Sequence, residues 1–202
     1  MIGKHLNGDK GLYLRRIYVL KGNLVELRAI TKENMNSLYK WRNDDEVSYW
    51  ATGNSPFYTN VSMEQLDHFF EQVWNLNKKD ECVFAVYTLE GKYIGIADYR
   101  DVDAVTHKAV IGLTIGDKEY WGKGFGTDAI QTLVKYLFLN LNMRKIQLDT
   151  WSGNERAIRS YEKCGFQVEG VLREDVYVNG KYYDTVIMGL LREEWGRDVI
   201  IS

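Results

Sequence analysis

The chain has 202 residues, of which 45% are hydrophobic and 27% charged, and this balance predicts one soluble globular domain rather than a disordered tail. Lys and Arg number 26 against 28 Asp and Glu. The resulting net charge of -2 argues against nucleic acid as a partner, because phosphate-binding surfaces normally carry a basic excess.

Cysteine and histidine do not suggest a metal site or a disulfide framework. Cys82 and Cys164 lie far apart, and the histidines His5, His68 and His107 have no metal-ligand spacing. We therefore expect no metal.

Membrane and export signals are also absent from the pattern. The first ten residues have no apolar stretch typical of a signal peptide. The most apolar helical segment, Leu133–Leu141, is short and is interrupted by Lys135, so it cannot span a bilayer. We expect a cytoplasmic protein without a membrane partner.

Hydrophobic periodicity predicts alternating strands and helices along the chain. The first half is expected to contain, in order, a strand at Leu12–Leu20, a turn at Lys21-Gly22-Asn23, a strand at Leu24–Ile30, a helix capped by Thr31, an irregular segment over Asn43–Asn60, a helix begun by the capping box of Ser62 and Gln65, a strand at Cys82–Leu89 and a turn at Glu90-Gly91-Lys92.

The second half continues the same alternation. It is expected to contain, in order, strands at Tyr93–Arg100 and His107–Ile115, a glycine cluster at Trp121–Thr127, a helix directly after it, a strand at Lys145–Trp151, a helix from the cap Asn154 to Lys163, and strands at Val168–Leu172, Asp175–Val178 and Tyr182–Leu190. With no repeat and no break in composition, the sequence predicts a single mixed α/β domain.

The glycine cluster is the most informative feature. A strand that ends in a glycine-rich turn and runs into a helix presents successive backbone N–H groups, which bind phosphate without a basic excess. A P-loop is excluded because Lys123 precedes the last two glycines. A dinucleotide-binding turn is disfavoured because the cluster lies in mid-chain, after a hairpin. A coenzyme A pyrophosphate loop and a turn without a ligand remain open.

The helix that follows Asn154 is the second feature. Gly165 ends it, and Ala157, Ile158 and Tyr161 form its apolar face. For Tyr161 alone, packing in the core is a more common role than acid catalysis.

Together the two features resemble the GNAT superfamily of acyl-CoA N-acyltransferases. The segment Trp121–Gly126 is similar to that family's R/Q-x-x-G-x-G/A loop, and Asn154–Phe166 to its N-x-x-A-x-x-x-Y-x-K-x-G-F helix. The residues Glu169-Gly170 and Asn179-Gly180 resemble the branch that contains spermidine acetyltransferases and ribosomal-protein N-terminal acetyltransferases.

The resemblance covers roughly residues 18–195. It implies a central, mostly antiparallel sheet of about seven strands, splayed at the middle and flanked by about four helices. Residues 1–17 are then an N-terminal extension, either flexible or an extra strand, and residues 196–202 a C-terminal tail.

The resemblance further implies acetyl-CoA as cofactor, bound in an opening between His107–Ile115 and Lys145–Trp151. Backbone N–H groups of the glycine cluster would hold the pyrophosphate, and main-chain groups of the third strand would polarise the thioester carbonyl. The implied cofactor-binding residues are Leu113, Thr114, Ile115, Trp121, Gly122, Lys123, Gly124, Phe125, Gly126, Thr127, Asn154 and Arg159. Trp121 replaces the usual Arg or Gln, which removes a side chain and leaves the backbone donors.

For catalysis, the resemblance implies that the Tyr161 hydroxyl lies near the thioester sulfur as general acid. Many relatives carry a glutamate where this chain has Val110, so a base must come from elsewhere. Asp98 is the candidate. A solvated or ion-paired Asp98, and an amine that arrives already deprotonated, remain open.

The acceptor site is expected in the irregular segment Asn43–Asn60 and the final hairpin, where acidic and aromatic residues suit a cationic amine. A solvated acidic helix end with aromatic packing remains open, and is the more common role, for each of these residues. The candidates are Asp44, Glu46, Tyr49, Trp50 and Tyr182.

These features predict an N-acetyltransferase that moves an acetyl group from acetyl-CoA to a primary amine, by direct attack in a ternary complex. The acceptor would be a polyamine, a protein N-terminus or another small amine. The alternative is a catalytically weak acyl-CoA-binding sensor or assembly module, which Val110 favours and Tyr161 and Asn154 disfavour. A nucleotide-binding protein ranks third. Because relatives often pair through edge strands, a homodimer is also expected.

Overall fold

A computed structural model describes residues 19–56, 58–75 and 80–196. The expected extension over residues 1–17, most of the strand Leu12–Leu20 and nearly all of the tail over residues 196–202 lie outside the described residues. The described elements are β1 (Leu20–Lys21), β2 (Val25–Ala29), α1 (Met35–Arg42), α2 (Asp45–Thr52), α3 (Met63–Asn75), β3 (Cys82–Thr88), β4 (Tyr93–Asp103), β5 (Lys108–Ile115), α4 (Phe125–Leu139), β6 (Lys145–Trp151), α5 (Glu155–Lys163), β7 (Gln167–Val178) and β8 (Lys181–Leu191).

Most predicted elements are confirmed, together with the side chains that begin and end them. The Ser62 hydroxyl accepts the N–H of Gln65 at 3.2 Å, while the Gln65 side chain accepts the N–H of Ser62 at 2.8 Å. Asn154 caps α5, and Gly165 follows that helix with a left-handed φ of 92°. These local signals therefore fix both ends of elements that border the functional site.

The prediction of an irregular segment over Asn43–Asn60 is wrong in its middle, which forms α2. The Asp44 carboxylate accepts the N–H groups of Glu46 and Val47, each at 3.0 Å, and Gly53 ends the helix with a left-handed φ of 64°. Both are ordinary helix-boundary signals. The two short strands expected at Val168–Leu172 and Asp175–Val178 are one strand, β7, whose pairing with β8 shifts between Leu172 and Val176.

The eight strands form one sheet in the order β1-β2-β3-β4-β5-β6-β8-β7. Every neighbouring pair is antiparallel except β5 and β6, which are parallel. That parallel contact runs only from Lys108↔Lys145 to Val110↔Gln147. Beyond it, β5 stays paired with β4 as far as Ile115, and β6 stays paired with β8 as far as Trp151. The sheet therefore opens into a V at its centre, which confirms the predicted splay.

Helices cover both faces of the sheet. On one face α4 packs against β1, β2, β4 and β5 and also contacts α5. Its apolar side is buried, with Leu133, Leu137 and Phe138 at most 1% exposed. On the other face α1 and α3 enclose a smaller cluster that includes Met35, Leu38 and Leu66. Among the described residues, none of the helices has the length and apolar character needed to cross a membrane.

A buried carboxylate ties the start of the sheet to α4. Asp128 is 6% exposed and accepts the backbone N–H groups of Asn23, Leu24 and Val25 at 3.1, 2.7 and 3.0 Å. A Cβ at Gly22 would overlap the Asp128 carboxylate, so glycine is required at this turn. Asp128 lies in the first turn of α4 and therefore holds the N-terminal end of that helix against the sheet.

We expect Asp128→Ala to lower the free energy of unfolding by about 3 kcal/mol, because it leaves the buried N–H of Val25 and the partly buried N–H groups of Asn23 and Leu24 without this acceptor. Urea unfolding followed by circular dichroism measures this. The exposed Gln131→Ala on the same helix is the control, with an expected change below about 0.5 kcal/mol. Equal losses in the two variants would contradict the anchoring role.

Candidate active site

The V between β5 and β6 continues into a cleft of about 1620 Å³. One half is lined by the glycine cluster, the C-terminal end of β5 and one side of α5. The other half is lined by parts of β2, β3, α1, α2 and α3. A cleft of this size and shape accommodates two molecules that meet at the seam of the sheet.

The glycine cluster presents free backbone N–H groups at one end of the cleft. Gly122 and Gly124 have left-handed φ angles of 70° and 88°, which glycine adopts without strain. The first backbone hydrogen bond of α4 is donated by the N–H of Asp128 to the Gly124 carbonyl at 2.9 Å. The N–H groups of residues 122–127 have no acceptor in the described part of the chain. Free N–H groups at the start of a 15-residue helix are a phosphate-binding arrangement.

Trp121 and Arg156 close this end of the cleft. The indole Nε1 of Trp121 donates to the carbonyl of Ile115 at 2.6 Å and so fixes the loop to the end of β5. The Arg156 guanidinium lies 4.3 Å from the centre of the Trp121 ring and 5.1 Å from that of Trp50. Burial lowers the pKa of Arg156, and the Glu46 charge partly offsets this. The sequence did not reveal Arg156 as a site residue, since the contact joins three distant segments.

Tyr161 lies on the α5 side of the cleft and lines it. Burial raises the pKa of Tyr161 to about 12, and the charge of Asp149 adds to the increase. Its hydroxyl has no hydrogen-bond partner among the residues that the structure describes. The side chain therefore stays protonated at neutral pH and presents a hydroxyl donor at the seam.

A charged group spans the seam from β4 to β6. Arg100 donates to Asp98 at 2.8 Å and lies 3.9 Å from Asp149, which is on β6. Burial raises the pKa of Asp98, and the charge and hydrogen bond of Arg100 oppose this rise. A Cβ at Gly112 would overlap the Asp98 carboxylate, so glycine makes room for it on the neighbouring strand. Asp98 is thus a partly desolvated carboxylate in the cleft.

Asn154 has both atoms of its amide group engaged by the fold. Its Oδ1 accepts the N–H of Ala157 at 3.2 Å, and its Nδ2 donates to the carbonyl of Trp50 at 2.8 Å. This leaves one N–H of the amide for a ligand. Arg159 lines the cleft but is paired with Glu155 at 2.9 Å.

Thirteen of the residues predicted for the site line the same cleft. They are Asp98, Leu113, Thr114, Ile115, Trp121, Gly122, Gly124, Gly126, Thr127, Asn154, Arg159, Tyr161 and Trp50.

The other predicted site residues lie outside the cleft lining. Lys123 is exposed, and Phe125 packs edge-on against Tyr120 with ring centres 5.0 Å apart. Lys118 holds the carboxylates of Asp44 and Glu46, at 2.9 and 3.2 Å.

Two aromatic candidates for the acceptor site also lie elsewhere. Tyr49 packs against Trp50 and Trp151, and Tyr182 is 66% exposed and packs against Tyr177. Sequence reasoning interpreted Asp44 as a ligand for the acceptor, whereas its position one residue before α2 is the ordinary signal of a helix cap.

Comparison with known proteins identifies the family. Residues 25–167 match the model of the acetyltransferase (GNAT) domain. A spermidine N(1)-acetyltransferase of Vibrio cholerae is 28% identical over 170 residues, which cover 84% of this chain and 94% of that protein. The putative ribosomal N-acetyltransferase YdaF of Bacillus subtilis is 37% identical over 106 residues, or 52% of this chain and 57% of that protein.

The solved structures agree. The crystal structure of spermidine N-acetyltransferase from Vibrio cholerae in complex with CoA and spermine has a TM-score of 0.75 at 26% identity, and the match covers 85% of this chain and 97% of that chain. The chain therefore belongs to the GNAT acetyltransferases. It is an acetyl-CoA-dependent transferase.

We expect Arg156→Gln to weaken CoA binding about tenfold, because a guanidinium beside the glycine loop complements the phosphates. Isothermal titration with CoA measures the Kd. Arg159→Gln is the control, with a smaller expected change since Glu155 already neutralises that side chain. An unchanged Kd in Arg156→Gln would contradict the assignment.

Proposed function

We propose that the protein acetylates a primary amine by direct attack on acetyl-CoA within a ternary complex in this cleft. The observation that carries the proposal is the meeting of Tyr161 and Asp98 in one cleft at the seam of the sheet, with free N–H groups at one end. In the reaction the amine nitrogen bonds to the acetyl carbon, the carbon–sulfur bond breaks, and the electron pair leaves on sulfur.

The half of the cleft that the glycine cluster, the end of β5 and α5 line would bind acetyl-CoA chiefly through backbone groups. The N–H groups of residues 122–127 would bind the pyrophosphate. Beyond Val110 the main chain of β5 has no partner strand on the β6 side, so the pantetheine arm would pair with Leu113, Thr114 and Ile115 as an added strand does. Main-chain donors there would stabilise the oxyanion that forms on the thioester carbonyl.

Tyr161 would assist the leaving group. Its pKa of about 12 exceeds that of an ordinary thiol, about 8.5, so complete proton transfer to the thiolate is uphill. The hydroxyl therefore acts chiefly by donating a hydrogen bond to the sulfur as negative charge develops there.

Asp98 would accept the proton that the amine loses, directly or through one water. A protonated amine cannot attack because its lone pair is occupied, and a desolvated carboxylate near the seam is suited to deprotonate it. The charge and hydrogen bond of Arg100 favour the ionised form of Asp98 and so oppose the rise in its pKa that burial causes. This arrangement would replace the glutamate that many relatives have at the position of Val110.

Tyr161→Phe is expected to lower kcat about a hundredfold while leaving the KM for acetyl-CoA nearly unchanged. Release of CoA thiol, measured with polyamines, N-terminal peptides, amino sugars and amino acids, tests this. Turnover that is equally fast in the variant would contradict the role of Tyr161. Tight CoA binding without turnover of any amine would favour an acyl-CoA-binding sensor instead.

The pH profile of kcat/KM tests the base. Activity should fall as the pH drops through the pKa of Asp98, since only the ionised form accepts a proton. Arg100→Gln removes the charge that lowers this pKa, so the acidic limb should move to higher pH, whereas Arg100→Lys should move it less. An unchanged limb in Arg100→Gln, or full activity in Asp98→Asn, would contradict the assignment.

We also propose that the protein is a homodimer and acts in the cytoplasm. β7 is an edge strand of the sheet, and its side chains Val168, Val171 and Leu172 are 53%, 49% and 48% exposed. An edge strand with exposed apolar side chains pairs readily with a second strand. Light scattering would show twice the mass of one chain, and a monomer at micromolar concentration would contradict this part.

A further inference from the structure

The half of the cleft that β2, β3, α1, α2 and α3 line, called the acceptor half here, contains the guanidinium of Arg42, which has no carboxylate partner among the described residues. Arg42 is the last residue of α1, is half-buried and lines the cleft. Its guanidinium lies 5.5 Å from the centre of the Phe69 ring. No carboxylate lies within ion-pair distance of it in the part of the chain that the structure describes. Burial lowers its pKa, as expected for a charge removed from water.

Two other arginines that line this half of the cleft have acidic partners. Arg28 is 2.6 Å from Glu26, and Arg100 is 2.8 Å from Asp98. Arg156 has no such partner among the described residues, but it lies beside the glycine loop, where the cofactor phosphates would bind. Arg42 lies beside Phe69 of α3, in the half of the cleft that α1, α2 and α3 line. A half-buried charge is costly unless something pairs with it, so its anion is expected from the acceptor.

A second donor without a partner accompanies Arg42. The hydroxyl of Tyr93 is buried and has no hydrogen-bond partner within the described ranges. Arg42 and Tyr93 lie close enough to influence each other's ionisation. Tyr93 does not line the cleft, so the donor that a ligand there can reach is the Arg42 guanidinium, which favours an anionic oxygen.

The charges of the acceptor half do not favour a polycation. Its carboxylates are those of Glu33, Glu81 and Asp98, and Asp149 lies across the seam. Glu33 is exposed to solvent, and the charge of Asp98 is paired with that of Arg100. Arg28, Arg42 and Arg100 line the same half. Like charges in a partly desolvated site repel, so a linear polyamine would meet repulsion at Arg42.

We propose that Arg42 binds an anionic group of the acceptor, a carboxylate or a phosphate ester, while the amine of the same molecule faces Asp98. The acceptor is then an amine with its own negative charge rather than a polyamine. This inference rests on the proposed amine acetylation, and it assigns Arg42 as the residue that determines acceptor specificity.

Three amines with the same four-carbon chain test it: γ-aminobutyrate, butylamine and putrescine, which end in a carboxylate, a methyl group and a second ammonium. Phosphoethanolamine represents the phosphate esters. Two quantities are measured for each amine: kcat/KM from CoA-thiol release, and the shift in Tm of the CoA-bound protein. The proteins are wild type, Arg42→Gln, Arg42→Lys and the control Lys40→Gln, which removes an exposed charge two residues earlier on α1.

In the wild type, at least one anionic amine should exceed butylamine and putrescine by about tenfold or more in kcat/KM and should raise the Tm. Arg42→Gln should abolish that advantage over butylamine, Arg42→Lys should restore part of it, and Lys40→Gln should behave as wild type. Which anionic amine responds distinguishes a carboxylate from a phosphate.

The proposal is overturned if putrescine is the preferred amine, if neither anionic amine shifts the Tm of the wild type, or if Arg42→Gln weakens all amines equally. A Tm shift that depends on Arg42 without turnover of any amine supports the anion site and instead contradicts the proposed acetylation. The failures of the two proposals are therefore distinguishable.

Discussion

The short parallel contact between β5 and β6 is the constraint on which the rest of the molecule depends. After Val110 and Gln147 the two strands separate, so the backbone on the inner edge of each lacks a partner strand. Arg100 extends from β4 towards Asp149 on β6 and places a charged group in the seam. The separation leaves a backbone edge and an open space between the strands, and the proposed function places the pantetheine chain and the acceptor there.

Different parts of the cleft carry different charges, and each charge suits a different part of the ligands. Free N–H groups and Arg156 form a positive end at the glycine loop, where we propose that the cofactor phosphates bind. At the seam, Asp98 and Asp149 share Arg100, and Tyr161 keeps its proton. Arg42 places a further cation in the half of the cleft that α1, α2 and α3 line. The proposed ligand pair, a cofactor with phosphates and an acceptor with its own anionic group, matches this distribution.

Local signals predicted much of the fold, because caps and turns act over a few residues. The capping box at Ser62, the Asn154 cap and the glycine after α5 were all readable from the sequence. The helix α2 was missed although Asp44 and Gly53 mark its ends, because the polar and aromatic composition of the segment was interpreted as irregular.

Contacts across the fold explain what the sequence could not provide at the site. Arg156 lies between rings that belong to α2 and the glycine loop, and no spacing along the chain encodes that meeting. The pairing of Asp98 with Arg100 was in reach, because residues two apart in a strand share a face. The half-buried state of Arg42 depends on α3 packing beside α1.

Amide hydrogen exchange with and without CoA tests most directly whether the seam and its loop form the cofactor site. We expect slower amide exchange at residues 122–127 and at the inner edge of β5 over residues 111–115 when CoA is bound, with little change in α3. Unchanged exchange in both segments at saturating CoA would contradict it.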